Sequence, residues 1–357
     1  MRSTSLRIGG FAILVALGLL AGSAATKPNV ALAYGNQTVG PWYTHSWYVT
    51  TMDGNAMRAL GTADAQWDSA HCFGTGNNSH SDKLTILNFG RPVQAGGAGY
   101  FGYGSIYHNG QSVNLGHSVW LAQQYAEAYW LASSNCPQLN IAIGTNNAEL
   151  CSGASPCDPY TAGRTWADAV AVLNSGWVAN GYATTGNHIR AVAAGDWEGH
   201  HFDPGVTWAC ASPTRAFVDG YTAYNASAAR LIHFGNALTS SGCWSIQDQF
   251  YVAWAATYSY PLPEIYNSSH PCQWVDGGPS CTPTWAVEAS NMPNNMYFLG
   301  VMTTCDTPEP LPYGPCGSPP GIDNGPGQSW DQLWNRQAAF RGFPQVTMPY
   351  ATNIRYQ

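Results

Sequence analysis

The sequence alternates short apolar runs with longer segments of helical spacing, and this alternation is the feature that most constrains its fold. The runs predicted as strands cover residues 83–90, 139–144, 189–195, 215–221, 249–256 and 296–302. The segments predicted as helices cover residues 117–134, 161–180, 226–238, 284–290 and 330–340. Strands that are apolar throughout and alternate with helices indicate an α/β fold with a parallel sheet covered on both faces.

Six or seven such units fit a closed (β/α) TIM-like barrel better than an open doubly wound sheet, and the barrel need not be regular. No G-x-G-x-x-G motif follows the first predicted strand, which argues against a nucleotide-binding sheet. The predicted architecture is therefore a barrel with an aromatic-rich N-terminal extension and disulfide-stapled loops.

Residues 1–33 are predicted to be a signal peptide. Arg2 and Arg7 precede an apolar run that is too short to span a membrane comfortably, and small residues allow cleavage after Ala25 or Ala33. No later segment offers the roughly 18 uninterrupted apolar residues of a membrane span. We therefore expect a secreted protein whose mature chain has no transmembrane segment.

The remaining chain divides into two predicted parts. Residues 34–82 are rich in turns and aromatic side chains, with a possible strand at 47–52 and a helical piece near 57–66. They are predicted to be an N-terminal extension that packs on the main body. Residues 83–357 are predicted to form the barrel domain, with the Pro- and Gly-rich stretch 307–327 as a long loop within it.

The composition favours a neutral polymer as partner. Charged residues make up 9% of the chain and aromatic residues 13%, whereas an average soluble domain has about 25% charged residues. The net charge of -7 and the presence of only two lysines, Lys27 and Lys83, argue against binding nucleic acid. A carbohydrate polymer or a cell-envelope glycan is the expected partner.

The ten cysteines are an even number in a chain with an export signal, which predicts disulfides rather than zinc. Neighbouring cysteines such as Cys272 and Cys281, or Cys305 and Cys316, are the easiest pairs to imagine. The sequence alone does not define the pairing.

Acidic and amide side chains follow the predicted strands, where a barrel of this type builds its active site. Asp196 and Glu198 end the strand at 189–195, and alternation along a strand places both on one face. Two carboxylates this close tend to share a proton near neutral pH, which provides an acid and a base. This is the chemistry that cleavage of a glycosidic bond requires.

Three pieces of the chain resemble the barrel muramidases (lysozymes) with a D-x-E signature and the glycoside-hydrolase-like barrels of secreted bacterial proteins. The first is Ala-Gly-Asp196-Trp-Glu198 on a strand end. The second is Arg-Ala-Phe-Val-Asp-Gly-Tyr-Thr-Ala-Tyr-Asn at 215–225, which opens a helix. The third is Phe-Tyr-Val-Ala-Trp-Ala-Ala-Thr-Tyr at 250–258, interpreted as a strand and followed downstream by Gln273 and Trp274.

The resemblance implies that Glu198 is the general acid and that Asp196 orients it or stabilises positive charge on the sugar. The muramidases carry an aspartate on their first strand, where this chain has Asn88. The missing charge could come from Asp219, Glu264 or Asp306. The same departure supports an alternative function, a catalytically inactive barrel that binds glycan or the cell envelope.

Further residues at the predicted strand ends are candidates for binding the substrate, through amides, carboxylates and aromatic platforms. They are Asn88, Asn146, Trp197, Asp219, Tyr221, Tyr258 and Glu264. His200, His201 and Asp203 could in principle ligate a metal, but adjacent histidines on a strand end point to opposite sides. No metal and no cofactor is therefore predicted. Neither a G-x-S-x-G elbow nor an H-E-x-x-H motif is present, which argues against lipase and zinc-protease chemistry.

Overall fold

The structure is a computed structural model. It describes residues 42–70, 82–95, 103–133, 138–150, 157–184, 187–198, 207–236, 243–275, 298–305, 324–341 and 348–357. Within these ranges, no helix combines the length and the apolar character needed to cross a membrane. The predicted signal peptide and the predicted helix at 284–290 lie outside the described residues.

The main sheet of the described chain consists of eight parallel strands in the order in which they follow each other along the sequence, with β8 beside β1. They are β1 Trp42–Tyr48, β2 Asp82–Asn88, β3 Gln138–Asn146, β4 Asn187–Asp196, β5 Leu231–His233, β6 Ser259–Pro261, β7 Gly300–Thr303 and β8 Tyr350–Tyr356.

Backbone hydrogen bonds bring the two edges of this sheet together. The Leu299 N–H donates to the Pro261 carbonyl at 2.8 Å, and the Met302 N–H donates to the Pro263 carbonyl at 2.9 Å. Glu264 and Met302 form a parallel bridge beside these bonds. The sheet is therefore nearly closed into a barrel, and the predicted TIM-like architecture is confirmed.

Helices follow the first seven strands and surround the sheet. They are α1 Gly54–Ala70, α2 Leu115–Ala132, α3 Pro159–Ala179, α4 Ala211–Tyr224, α5 Ile246–Phe250, α6 His270–Val275 and α7 Pro326–Arg341. A π-helical turn, Tyr251–Ala255, continues α5. After β2, the strands Arg91–Gln94, Tyr103–Ile106 and Ser112–Asn114 form a small antiparallel sheet, and Ala183–Thr184 pairs with the start of β4.

The strand predicted at 215–221 is wrong, because these residues lie within α4. The buried side chains of this helix include Thr214, Phe217, Val218 and Tyr221, which repeat at intervals of three and four residues. That spacing is helical, but a short apolar run does not distinguish a strand from a buried helix.

The next two predictions along the chain are wrong for related reasons. The helix predicted at 226–238 contains β5 instead, and the strand predicted at 249–256 is α5 with its π-helical turn. Ser245 and Asp248 form a capping box at the start of α5, since each side chain accepts the backbone N–H of the other residue. This pair is a helix-start signal that can be recognised in the sequence.

The segment expected to lie on the barrel as an extension contributes β1 to the sheet itself. β1 pairs with β8 along its whole length and with the end of β2. The barrel therefore begins before residue 83. The aromatic, polar strand Trp-Tyr-Thr-His-Ser-Trp-Tyr lacks the apolar run that identified β2, β3 and β4 in the sequence.

The register of the strands determines which side chains face the interior of the barrel. Asn140 on β3 donates a hydrogen bond to the Tyr350 hydroxyl on β8 at 3.4 Å, and these strands face each other only across the interior. Every second residue after Asn140 therefore points inward as well. Asn146 ends this series, and its register partner on β4 is Asp196.

A disulfide joins Cys210, which precedes α4, to Cys243 in the connection between β5 and α5. The described cysteines Cys157, Cys272 and Cys305 are also disulfide-bonded. The prediction of disulfide-stapled loops is confirmed for this part of the chain. The Cys210–Cys243 pair, 33 residues apart, is not one of the neighbouring pairs that the spacing favoured.

Candidate active site at the carboxyl ends of the strands

Three carboxylates meet at the end of the barrel to which the strands' carboxyl ends point. Asp196 is the last residue of β4, Glu198 follows two residues later, and Glu264 lies three residues after β6. One oxygen from each side chain lies within 4.8 Å of the other two. Asp196 and Glu264 are 5% and 3% exposed, while Glu198 is half-buried and can be reached from solvent.

Burial raises the pKa of Glu264 well above its ordinary value, and the negative charge of Glu198 raises it further. A hydrogen bond from the Tyr266 hydroxyl acts in the opposite direction but is the smallest of the three effects. Glu264 is therefore the group of this cluster whose pKa is raised, and the negative charge of Glu198 contributes to that shift.

Two tyrosines border the carboxylates. The pKa of Tyr48 is raised well above its ordinary value by burial and then by the charges of Asp196 and Glu264. The pKa of Tyr266 is raised by burial and by the adjacent Glu264. Both hydroxyls therefore stay protonated and available as hydrogen-bond donors. The sequence did not predict either role, and Tyr48 lies in the segment that was interpreted as an extension.

Asn147, the residue after β3, holds the backbone of Glu198 with both ends of its side chain. Its Nδ2 donates to the Glu198 carbonyl at 2.8 Å, and its Oδ1 accepts the Glu198 N–H at 2.8 Å. The Asn147 N–H also donates to the Asp196 carbonyl at 3.2 Å. Asn147 is fully buried. It therefore fixes the position of the Glu198 backbone relative to Asp196, a role that was not predicted.

Asn88 and Asn146 face the interior near the carboxylates, as expected from their positions at strand ends. The Asn88 Oδ1 accepts the Gly90 N–H at 2.9 Å, and its Nδ2 is buried with no hydrogen-bond partner among the described residues. The Asn146 Oδ1 accepts the Ala148 N–H at 3.2 Å, and the residue is 7% exposed. Asn88 carries no charge, and Glu264 is the third carboxylate of the cluster.

Trp197 does not face the site, although it lies between two of the acids. It is fully buried, and its ring packs edge-on against Phe217 of α4 at a centroid distance of 5.2 Å. Since alternation turns Trp197 away from its two neighbours, it belongs to the core between β4 and α4. The predicted role in sugar stacking is therefore corrected to a packing role.

Three further predicted site residues lie elsewhere. Asp219 is on α4 and accepts a hydrogen bond from the Tyr251 hydroxyl, so it belongs to the helical layer. Tyr221, on the same helix, is fully buried and donates to the Ala229 carbonyl at 3.2 Å. Tyr258 directly precedes β6, at the end of that short strand that points away from the carboxylates. Asp219 and Tyr221 were expected at a strand end because residues 215–221 were predicted to be a strand.

Some candidates cannot be placed. His200, His201, Asp203 and Asp306 lie outside the described residues. Among the described residues, the group that could hold a metal ion is Asp196, Glu198 and Glu264. Its oxygen ligands would suit a hard cation such as Ca²⁺ or Mg²⁺.

The arrangement places a carboxyl group with a raised pKa within reach of two further carboxyl groups, at the mouth of a barrel. Such a pair can transfer a proton to a leaving oxygen and stabilise or capture the carbon that is left positive. No family model, curated protein or solved structure matches the chain. The chemistry of the site is therefore inferred from its residues and their geometry.

Proposed function

We propose that the protein is an exported glycoside hydrolase that acts on a polysaccharide or a peptidoglycan-type glycan. The observation that carries this proposal is the approach of three carboxylates to within 4.8 Å at the barrel mouth, with the pKa of one of them strongly raised. The uncharged, aromatic-rich composition and the predicted signal peptide support an extracellular neutral glycan as substrate.

The electrostatics favour Glu264 as the general acid, in place of the assignment to Glu198 that the family resemblance implies. Glu264 holds its proton because it is buried beside the charge of Glu198. Glu198, whose negative charge raises the pKa of Glu264, is the more exposed of the two, so it is the group that can approach the anomeric carbon. Asp196, next to both, stabilises positive charge that develops on the sugar.

The spacing favours retention of configuration. Retaining enzymes place their two carboxyl groups about 5–5.5 Å apart and inverting enzymes about 6.5–9.5 Å apart. Oxygens of Glu198 and Glu264 lie at most 4.8 Å apart, which is nearer to the spacing of retaining enzymes than to that of inverting ones. In this proposal Glu264 protonates the leaving oxygen while Glu198 bonds to the anomeric carbon. Water then releases the sugar and returns the proton to Glu264.

The test is release of new reducing ends from peptidoglycan and from a panel of neutral polysaccharides. Glu264→Gln is expected to lower the rate by about 10²–10⁴-fold, which is the usual contribution of a positioned proton-transfer group. Glu198→Gln removes the proposed nucleophile and should lower the rate at least as much. Glu127→Gln is the matched control, because Glu127 lies on α2 and is paired with Arg58 at the surface. Its rate should equal that of the wild type.

The outcomes separate hydrolysis from the alternative of a barrel that only binds glycan. Binding of a glycan without any release of reducing ends would refute the proposed hydrolysis and support the binding module. Cleavage that persists in both Glu→Gln variants would show that the reaction takes place elsewhere on the protein.

A further inference from the structure

Three aromatic side chains lie together at the mouth of the barrel, beside the carboxylates. The rings of Tyr48 and Tyr356 have centroids 4.9 Å apart, and His108 lies 4.6 Å from Tyr48 and 5.8 Å from Tyr356. We call Tyr48, His108 and Tyr356 the aromatic wall. The aromatic platforms considered from the sequence did not include any of these residues.

Strand register connects the wall to the acids. Tyr48 is the register partner of Tyr356 on one side and of Asn88 on the other, so all three face the interior at the same end of the barrel. Asp196 and Glu264 both lie close enough to the Tyr48 hydroxyl to raise its pKa. The wall is therefore the β8–β1 side of the same mouth.

Tyr356 presents its ring to solvent although its backbone is held in place. The residue is 68% exposed, one of the largest exposures of a large apolar or aromatic residue in the described chain. The Gln357 N–H donates to the Tyr48 carbonyl at 3.3 Å, and the Thr50 hydroxyl donates to the Gln357 carbonyl at 3.3 Å. An exposed ring on a fixed strand end is a preformed contact surface.

The wall is uncharged over the range in which most proteins work. His108 is half-buried, and the loss of solvent around its ring lowers its pKa to about 4, so the imidazole is neutral above that pH. Tyr48 keeps its proton because its pKa is raised. The surface therefore offers aromatic faces without a positive charge that would select an anionic ligand.

We propose that the aromatic wall is a sugar-binding subsite, in which the exposed ring of Tyr356 stacks on the apolar face of a neutral sugar unit next to the scissile bond. Pyranose rings carry C–H groups on one face, and a rigid aromatic ring covers such a face at little cost in side-chain entropy. The inference rests on the proposed function, because it assigns the substrate class and the location of one of its units.

The test measures binding separately from cleavage. Glu264→Gln provides a background in which cleavage of the probe is slowed by about 10²–10⁴-fold. Binding is measured by calorimetry with peptidoglycan fragments and with soluble oligomers of β-linked glucose and of β-linked N-acetylglucosamine. Adding Tyr356→Ala to this background is expected to raise the Kd by about 3- to 10-fold, as for the loss of one aromatic stacking contact. Tyr356→Trp should preserve the affinity, because it retains an aromatic face.

Tyr224→Ala is the matched control. Tyr224 is 41% exposed on α4, in the outer helical layer, and its replacement should leave the Kd unchanged. An equal Kd with and without Tyr356→Ala would overturn the subsite while leaving the hydrolase proposal intact. Wild-type protein that binds without cleaving would refute hydrolysis, and the Kd of the Tyr356 variants would still decide the subsite. Absence of binding to every probe would overturn the subsite.

Discussion

Glu264 differs from Asp196 and Glu198 in its surroundings rather than in its chemistry. It is bordered by the Tyr266 hydroxyl and by a second carboxylate, and its side chain is almost completely buried. Desolvation and like charge both disfavour ionisation. The surroundings of Glu264 therefore raise its proton affinity. This is how one site can hold an acid and a base at the same pH.

Replacing Glu264 by glutamine should stabilise the protein at high pH. In the wild type, unfolded Glu264 releases its proton near its ordinary pKa of 4.5, whereas the folded state retains it to higher pH. The folded state therefore binds more protons in this window, and the free energy of unfolding falls as the pH rises, by at most about 1.4 kcal/mol per pH unit. Glutamine does not ionise and avoids this loss.

Urea denaturation of the wild type and Glu264→Gln across a pH series measures the effect. The variant should gain no stability below the ordinary pKa of 4.5, gain progressively above it and reach a plateau above the folded-state pKa. Curves that stay parallel over the whole series would mean that the folded-state pKa of Glu264 is not raised.

Asn147→Ala should impair catalysis more than its effect on stability explains. Without the amide, the Glu198 backbone loses two hydrogen bonds, and small displacements of a reacting group cost up to about 10²-fold in rate. We expect kcat to fall by about 10- to 100-fold with little change in KM. Kinetics on the glycan identified in the panel provide the measurement.

Asn174→Ala is the matched control for Asn147. The Asn174 side chain holds the backbone of Ala191 in the middle of β4 through the same two contacts, at 2.9 Å and 2.8 Å. Both variants should lose about 1–3 kcal/mol of stability, but only Asn147→Ala should lose activity. Equal losses of kcat in Asn147→Ala and Asn174→Ala would mean that Asn147 has only a structural role.

At the scale of single residues, the sequence predicted the acids better than their surroundings. Asp196 and Glu198 are two residues apart at a strand end, so local geometry alone predicts that they lie close together. Glu264 was recognised as a candidate because it follows a run that was predicted to be a strand. Tyr48 and Tyr356 depend on the pairing of the first strand with the last, and a contact over that distance leaves no local signal in the sequence.

At the scale of secondary-structure elements, the misassigned strands show where periodicity is ambiguous. The runs at 215–221 and 249–256 are short and apolar, and both cover buried faces of helices. The longer elements, such as α2 and α3, were predicted close to their observed limits because several turns of apolar spacing are unambiguous. β5 and β6, with three residues each, are too short to give any periodic signal.

The helix α1 is attached to the barrel through buried acids, a feature that apolar spacing does not reveal. Asp68 is 3% exposed, and it accepts hydrogen bonds from Lys83 of β2 at 2.7 Å and from the Tyr129 hydroxyl of α2 at 2.6 Å. Asp64, one turn earlier, accepts from the Trp47 indole at 2.8 Å. These contacts connect α1 to two strands and to α2.

Lys83→Met should therefore destabilise the protein strongly, by about 3–5 kcal/mol, because it leaves the Asp68 carboxylate buried without its cation. Arg58→Met removes the cation of an exposed pair with Glu127 and should cost less than about 1 kcal/mol. Urea denaturation at neutral pH compares the two. Similar small losses would mean that the Lys83–Asp68 pair contributes no more than a surface pair.

At the scale of the whole molecule, the barrel could be predicted although several of its elements could not. The alternation of strands and helices reflects the repeating βα unit. Assigning a helix as a strand and the following strand as a helix leaves the number of predicted units almost unchanged. The closure depends on the Pro261–Pro263 segment and its hydrogen bonds to β7, which link residues far apart in sequence. Once the barrel is closed, the strand ends gather their acids at one mouth.

The most direct test of the central claim is the pKa of Glu264 itself, since a buried, protonated glutamic acid beside an ionised Glu198 is what makes the cluster an acid–base site. The carboxyl ¹³C shift of Glu264, assigned by its absence in Glu264→Gln, is followed over a pH titration in the wild type and in Glu198→Gln. We predict a midpoint well above the ordinary value of 4.5 in the wild type and a lower midpoint once the charge of Glu198 is removed. A wild-type midpoint at or below 4.5 would contradict the account.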